Sequence, residues 1–144
     1  RRTGRFAASN YIIQSISGTD EALLIYFHSS DDRLRFYAYN SSGTEILYAR
    51  TSPIQDTNWH HVMFSFDLSD TGKRHIYLDG SSNIAVFTYV NNDIPLASKP
   101  LRIGNSGGTF NLQADIAALW IDFGTDMDLS DTNIRPKLRD SRGK

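Results

Sequence analysis

Apolar and polar positions alternate along this chain in short runs, with a period of two. The clearest run lies between Asn58 and Gly80. There His60, Val62, Phe64 and Phe66 fall on one side of an extended chain, and Trp59, His61, Met63 and Ser65 on the other. Asp67-Leu68-Ser69-Asp70-Thr71-Gly72 is rich in turn formers. Beyond it Ile76 and Leu78 share one face, with His75, Tyr77 and Asp79 on the other. Asp79-Gly80 tolerates positive φ and closes the stretch. The pattern predicts a β-hairpin.

The same period predicts strands over Asn10 to Ile16, Ala22 to His28, Arg33 to Tyr39, Glu45 to Ala49, Ile84 to Val90, Leu101 to Gly104 and Ala114 to Phe123. The turns between them are marked by Gly18-Thr19-Asp20, Ser29 to Asp32, Asn40 to Gly43, Asn91 to Asp93 and Asn105 to Gly108. In the last strand Ala117, Leu119, Ile121 and Phe123 line one face and Trp120 points to the other. Asp128 to Asp131 caps one short helical turn, whose length Pro136 limits. Short strands at regular spacing, almost without a helical period, make a β-sandwich or barrel.

One register can be tested on the pattern alone. Pairing His28 with Arg33 sets Phe27 opposite Leu34, Ile25 opposite Phe36 and Leu23 opposite Ala38, which makes one apolar face. The other face then holds Leu24, Tyr26 and His28 beside Arg35, Tyr37 and Tyr39. That face is too aromatic for an ordinary solvent face, and Tyr and Arg are favoured at recognition surfaces. Tyr26, His28, Arg35, Tyr37 and Tyr39 are therefore the candidate ligand- or partner-binding residues. The bland alternative is that this face is the core.

Composition narrows the classes. The length of 144 residues suits one domain, and its apolar and aromatic content is that of a chain that folds. No apolar run approaches 18 residues, so no membrane span is expected. Without cysteine there is no disulfide, thiol catalysis or Cys-based zinc site. The net charge of −1 hides an uneven distribution. Arg1, Arg2 and Arg5 lie at one end, and Arg135, Lys137, Arg139, Arg142 and Lys144 at the other. The body between them is acidic, which argues against a nucleic-acid partner. The basic ends read as solvated tails, or as tethers that dock on acidic neighbours.

Other constellations carry less. His60 and His61 are adjacent on a strand and point to opposite faces, so they cannot chelate one ion together. Gly104 to Gly108 is not followed by a helix or a Lys-Ser/Thr pair, so it reads as a tight loop rather than a phosphate cradle. No Gly-x-Ser-x-Gly elbow is present.

Trp59-His60-His61-Val62, Tyr77-Leu78-Asp79-Gly80, Leu101-Arg102-Ile103-Gly104 and Ile116 to Ile121, in that order, resemble laminin-G-like, concanavalin A-like lectin/glucanase jelly-roll domains. The resemblance spans about Tyr11 to Phe123. It implies an all-β fold, a two-sheet antiparallel jelly-roll sandwich. The end of the chain, from Phe123-Gly124 to Arg135-Pro136-Lys137, is similar to the ending of such domains in phage tail and other virion proteins. The expected division is a jelly-roll domain over 1–127, lacking an N-terminal strand, and a basic C-terminal extension over 128–144. The missing strand implies a segment of a larger chain or an oligomer.

The resemblance also bears on chemistry. Related glucanases place Glu-x-Asp-x-x-Glu on one strand; this chain has only Glu21 and Glu45, in no such motif, so it is not expected to be an enzyme. Many relatives hold calcium at the sandwich rim, and hard oxygen ligands suit that ion. Asp31 and Asp32 in one loop, and Asn91, Asn92 and Asp93 in another, are the weak metal candidates, with turn chemistry as the plainer reading. No other cofactor is implied. The expected function is a non-catalytic carbohydrate-binding or adhesion module of a phage or virion tail or fibre. The alternatives are a structural virion module contacting neighbouring subunits, and a secreted bacterial lectin-like domain. The partners are then a glycan or neighbouring protein subunits, at a virion or extracellular location.

Overall fold

The computed structural model describes residues 9–17, 19–105, 111–124 and 127–138. Nine strands occur among them: β1 (Asn10–Ser17), β2 (Asp20–His28), β3 (Arg33–Tyr39), β4 (Glu45–Arg50), β5 (Val62–Phe66), β6 (Arg74–Leu78), β7 (Ser81–Ser82), β8 (Ala85–Tyr89) and β9 (Leu101–Ile103). Six of them form one sheet in the order β8-β4-β3-β2-β1-β9, and β5-β6-β7 form the other. All ladders are antiparallel.

The β2–β3 hairpin has the register that its apolar pattern predicts, with Phe27 opposite Leu34, Ile25 opposite Phe36 and Leu23 opposite Ala38. Its turn is closed by Asp32, at φ 54°, whose N–H donates to the His28 carbonyl at 3.1 Å. Asp tolerates this left-handed conformation better than most residues. The inward set of β2, β3 and β4 is Leu23, Ile25, Leu34, Phe36, Ala38, Leu47 and Ala49, which packs with Ile13 and Ile76. Phe36 is 1% exposed and stands 4.9 Å from the Phe64 ring and 6.0 Å from the Phe66 ring of the facing sheet. Burying a side chain of this size stabilises the fold by about 1.5–3 kcal/mol. The inner faces of the two sheets therefore share one core, as in a sandwich.

The central hairpin forms as β5 and β6, with Val62 opposite Leu78 and Phe64 opposite Ile76. Its first strand begins at Val62, so Trp59, His60 and His61 precede it. The outer face of this sheet is covered as well. Met63 and Tyr77 pack with Leu129, and Met127, Ile134 and Leu138 flank them. Arg135 lies over the Tyr77 ring at 4.2 Å and donates to the Gly80 carbonyl at 3.1 Å.

Two expectations fail. Ala114 to Phe123 forms no regular strand. Alternation makes a strand only where a ladder partner exists; β9 occupies the free edge of β1, and among the described residues this stretch has a bridge at Ala114 and no ladder beyond it. Residues 114–124 instead line a cavity of about 1510 Å³, together with β5 and the inner face of the large sheet. The helical turn also falls later than the caps indicate, as a 3-10 turn over Arg135–Leu138. Pro136 sits in its first turn, where its missing N–H breaks no bond. Arg1, Arg2, Arg5, Arg139, Arg142 and Lys144, Gly18, and the Ser106 to Gly108 part of the glycine-bearing loop lie outside the described residues.

Candidate functional site

The outer face of the six-stranded sheet carries a row of aromatic rings. Strand alternation turns Tyr26 of β2, Tyr37 and Tyr39 of β3 and Tyr48 of β4 away from the core. Tyr11 of β1 and Phe87 of β8 extend the row at its two ends. The centroid separations are 5.1 Å for Tyr11–Tyr26, 5.9 Å for Tyr26–Tyr37, 4.4 Å for Tyr37–Tyr48 and 4.8 Å for Tyr48–Phe87. All four pairs are stacked, with interplanar angles of 27°, 16°, 10° and 26°. Tyr39 stacks on Tyr37 at 6.3 Å. Such pairs each contribute about 0.5–1.5 kcal/mol beyond their buried area. The row crosses five strands, so the rings are held on a hydrogen-bonded frame and present one surface. Phe87 is 55% exposed, and the tyrosines are half-buried by one another.

The phenols stay protonated far above neutrality. Burial is the main cause for each, and it raises Tyr11, Tyr26, Tyr37 and Tyr39. For Tyr37 a hydrogen bond with Tyr48 adds to it. Tyr39 is pushed up to about 12 by burial and then by the negative charges of Glu21 and Glu45. The face thus offers neutral hydroxyls that can both donate and accept hydrogen bonds.

The two ends of the face differ in charge. At the turn end Asp31 accepts from Arg35 Nη2 at 2.7 Å. Arg33 Nε, Arg50 Nη1 and His28 Nδ1 stand 3.7, 3.8 and 3.5 Å from the same carboxylate. Partial burial alone would raise the Asp31 carboxyl, but the Arg35 hydrogen bond and charge outweigh it and hold the group below its ordinary value. At the other end Glu45 accepts from the Thr88 hydroxyl, and burial raises Glu21. Arg50 also lies over the Phe87 ring at 4.6 Å, so a cation and an exposed ring share one corner.

All five residues proposed from the sequence fall on this face. Tyr26, Tyr37 and Tyr39 belong to the ring row, while His28 and Arg35 flank Asp31. Tyr11, Tyr48, Phe87 and Arg50 join them from strands whose register the pattern alone does not give. Of the metal candidates, Asp31 is engaged by the arginines, and Asp32 is buried within its turn. Asn92 Oδ1 accepts the Asp93 N–H at 2.9 Å. Among the described residues no three His, Cys, Asp or Glu side chains gather into a group that would hold a metal ion. His60 is held between two carboxylates, with Nδ1 2.7 Å from Asp79 Oδ2 and Nε2 2.8 Å from Asp56 Oδ1.

A family model for the concanavalin A-like lectin/glucanases superfamily, in its laminin G form, matches residues 2–121. The chain belongs to that superfamily. Neither the curated proteins nor the solved structures gave a match. Membership agrees with the two antiparallel sheets, and it supports a carbohydrate-binding or adhesion type of module. Among the described residues no helix is long and apolar enough to cross a membrane.

Proposed function

We propose that this superfamily domain is a non-catalytic glycan-binding module, and that the outer face of the six-stranded sheet is its platform. The observation that carries this reading is the row of stacked rings from Tyr11 to Phe87. Sugar rings present apolar C–H faces that stack on aromatic side chains, and hydroxyls that pair with phenols and guanidiniums. A sheet needs only one face for its own core, so a second aromatic face is available for recognition. The setting we favour is the tail or fibre of a phage or other virion, where such a module would hold a surface polysaccharide; a secreted lectin-like protein would use the same face.

A second reading rests on a different stretch. Trp120 is 62% exposed, and Ile116, Leu119 and Phe123 are exposed beside it. Apolar side chains so close together favour contact with a neighbouring subunit. Assembly through residues 116–123 is compatible with glycan binding through the tyrosine face.

The test is a glycan array probed with the whole chain and with a Tyr37→Ala/Tyr48→Ala variant. The reading expects defined glycan signals from the parent chain that the variant loses while it keeps its melting transition. Loss of a ring that anchors a ligand costs about 2 kcal/mol or more. Unchanged signals in the variant would contradict it, and so would silence of the parent chain across a broad array.

A further inference from the structure

The basic corner of the tyrosine face holds more positive charge than its own carboxylate absorbs. The guanidiniums of Arg33, Arg35 and Arg50 all approach Asp31, but among them only that of Arg35 is within hydrogen-bond distance; Arg33 reaches the carboxylate with its backbone N–H, at 3.3 Å. Arg33 Nη1 is used instead on the Thr51 carbonyl, at 2.8 Å. The Nε–H groups of Arg35 and Arg50 are buried and have no hydrogen-bond partner among the described residues. Guanidiniums whose donors are not all spent match the two oxygens of a carboxylate or sulfate. The corner also adjoins the exposed end of the ring row, because Arg50 lies against Phe87 and Phe87 stacks on Tyr48. At the opposite end the carboxylates of Glu21 and Glu45 lie close enough to Tyr39 to add to the effect of burial on its phenol, so that end carries negative charge and disfavours an anion.

We propose that the platform selects acidic saccharides. A sugar ring stacks on Tyr48 and Phe87 while its carboxylate or sulfate is held by Arg50 and Arg33. The charge difference between the two ends fixes the direction in which the chain lies. This rests on the glycan reading given above and adds the class of sugar.

The experiment is calorimetric titration of the whole chain with a panel of uronate oligosaccharides, each beside its carboxyl-reduced neutral counterpart. Sulfated and desulfated pairs form a second arm. The two arms separate a carboxylate from a sulfate ligand. At least one acidic member should bind about tenfold or more tighter than its neutral partner. Arg50→Gln, which leaves the Arg35–Asp31 pair in place, should close that gap, lowering the affinity for acidic members far more than for their neutral partners. Arg50→Lys should restore part of it, and Arg33→Gln serves as a second variant should Arg50→Gln not fold. Tyr48→Ala should weaken acidic and neutral members alike. Equal binding of acidic and neutral members would overturn the proposal and leave the glycan platform standing. Binding to no saccharide would overturn both. Binding of polyglutamate without any acidic saccharide would overturn it in favour of an acidic protein partner.

Discussion

His60 shows how one side chain ties a loop to the central hairpin. Both ring nitrogens face carboxylates, at 2.7 and 2.8 Å, and two such bonds need two N–H groups, hence the imidazolium. Burial lowers its pKa, but hydrogen bonds and charge from Asp79 and Asp56 outweigh this and raise it above the ordinary value. The folded protein therefore holds this proton more tightly than the unfolded chain does. The stabilisation is fully present below the unfolded value of about 6.5 and is lost as pH rises through the folded value. Asp56 and Asp79 are about half exposed, so screening keeps the effect small. Between about pH 6 and 8.5 the melting temperature should fall by about 1–3 °C more in the parent chain than in His60→Gln. Parallel curves for the two proteins would contradict the assignment.

At the scale of the element, the β2–β3 hairpin separates two jobs between neighbouring residues. Phe36 points into the core and touches both Phe64 and Phe66, whereas Tyr37 points outward and meets the rings of the row and Arg35. Phe36→Ala should cost about 3–5 kcal/mol in denaturant unfolding. Tyr37→Ala should cost less than Phe36→Ala, because it removes ring contacts on the outer face without opening a cavity in the core. Equal losses would mean that the outer face is a second core. This hairpin was legible in the sequence because no bulge interrupts it: each inward residue from Leu23 to Phe27 meets an inward residue of β3. The rest of the face was less legible. A register shift in β1 between Tyr11 and Ile13 turns Ile12 and Ile13 both toward the core, and so brings Tyr11 beside Tyr26. A second shift, between Tyr48 and Ala49 on the ladder with β8, sets the place of Phe87. Alternation within a strand gives its faces but not its neighbours. The stretch Ala114 to Phe123 makes the same point in reverse, since it alternates well and, among the described residues, has no ladder.

Across the whole molecule the two sheets have unequal cover. The small sheet is sealed on its outer side by Leu129, which is 2% exposed against Met63 and Tyr77, and by Arg135 over the Tyr77 ring. The large sheet keeps its ring row on the outer side, with Phe87 more than half exposed. Leu129→Ala should therefore cost about 2–5 kcal/mol; a loss below about 0.5 kcal/mol, the range of ordinary surface changes, would show that residues 127–138 do not seal β5 and β6. The central claim is that ligand meets the molecule on the ring row. The most direct measurement is the aromatic carbon–proton NMR spectrum of the full chain, recorded with and without a saccharide that binds it. Shifts concentrated on Tyr26, Tyr37, Tyr48 and Phe87, with Phe36, Phe64 and Phe66 nearly unmoved, are the predicted result. Shifts confined to Trp59, Trp120 and Phe123, with the tyrosine row unchanged, would contradict it.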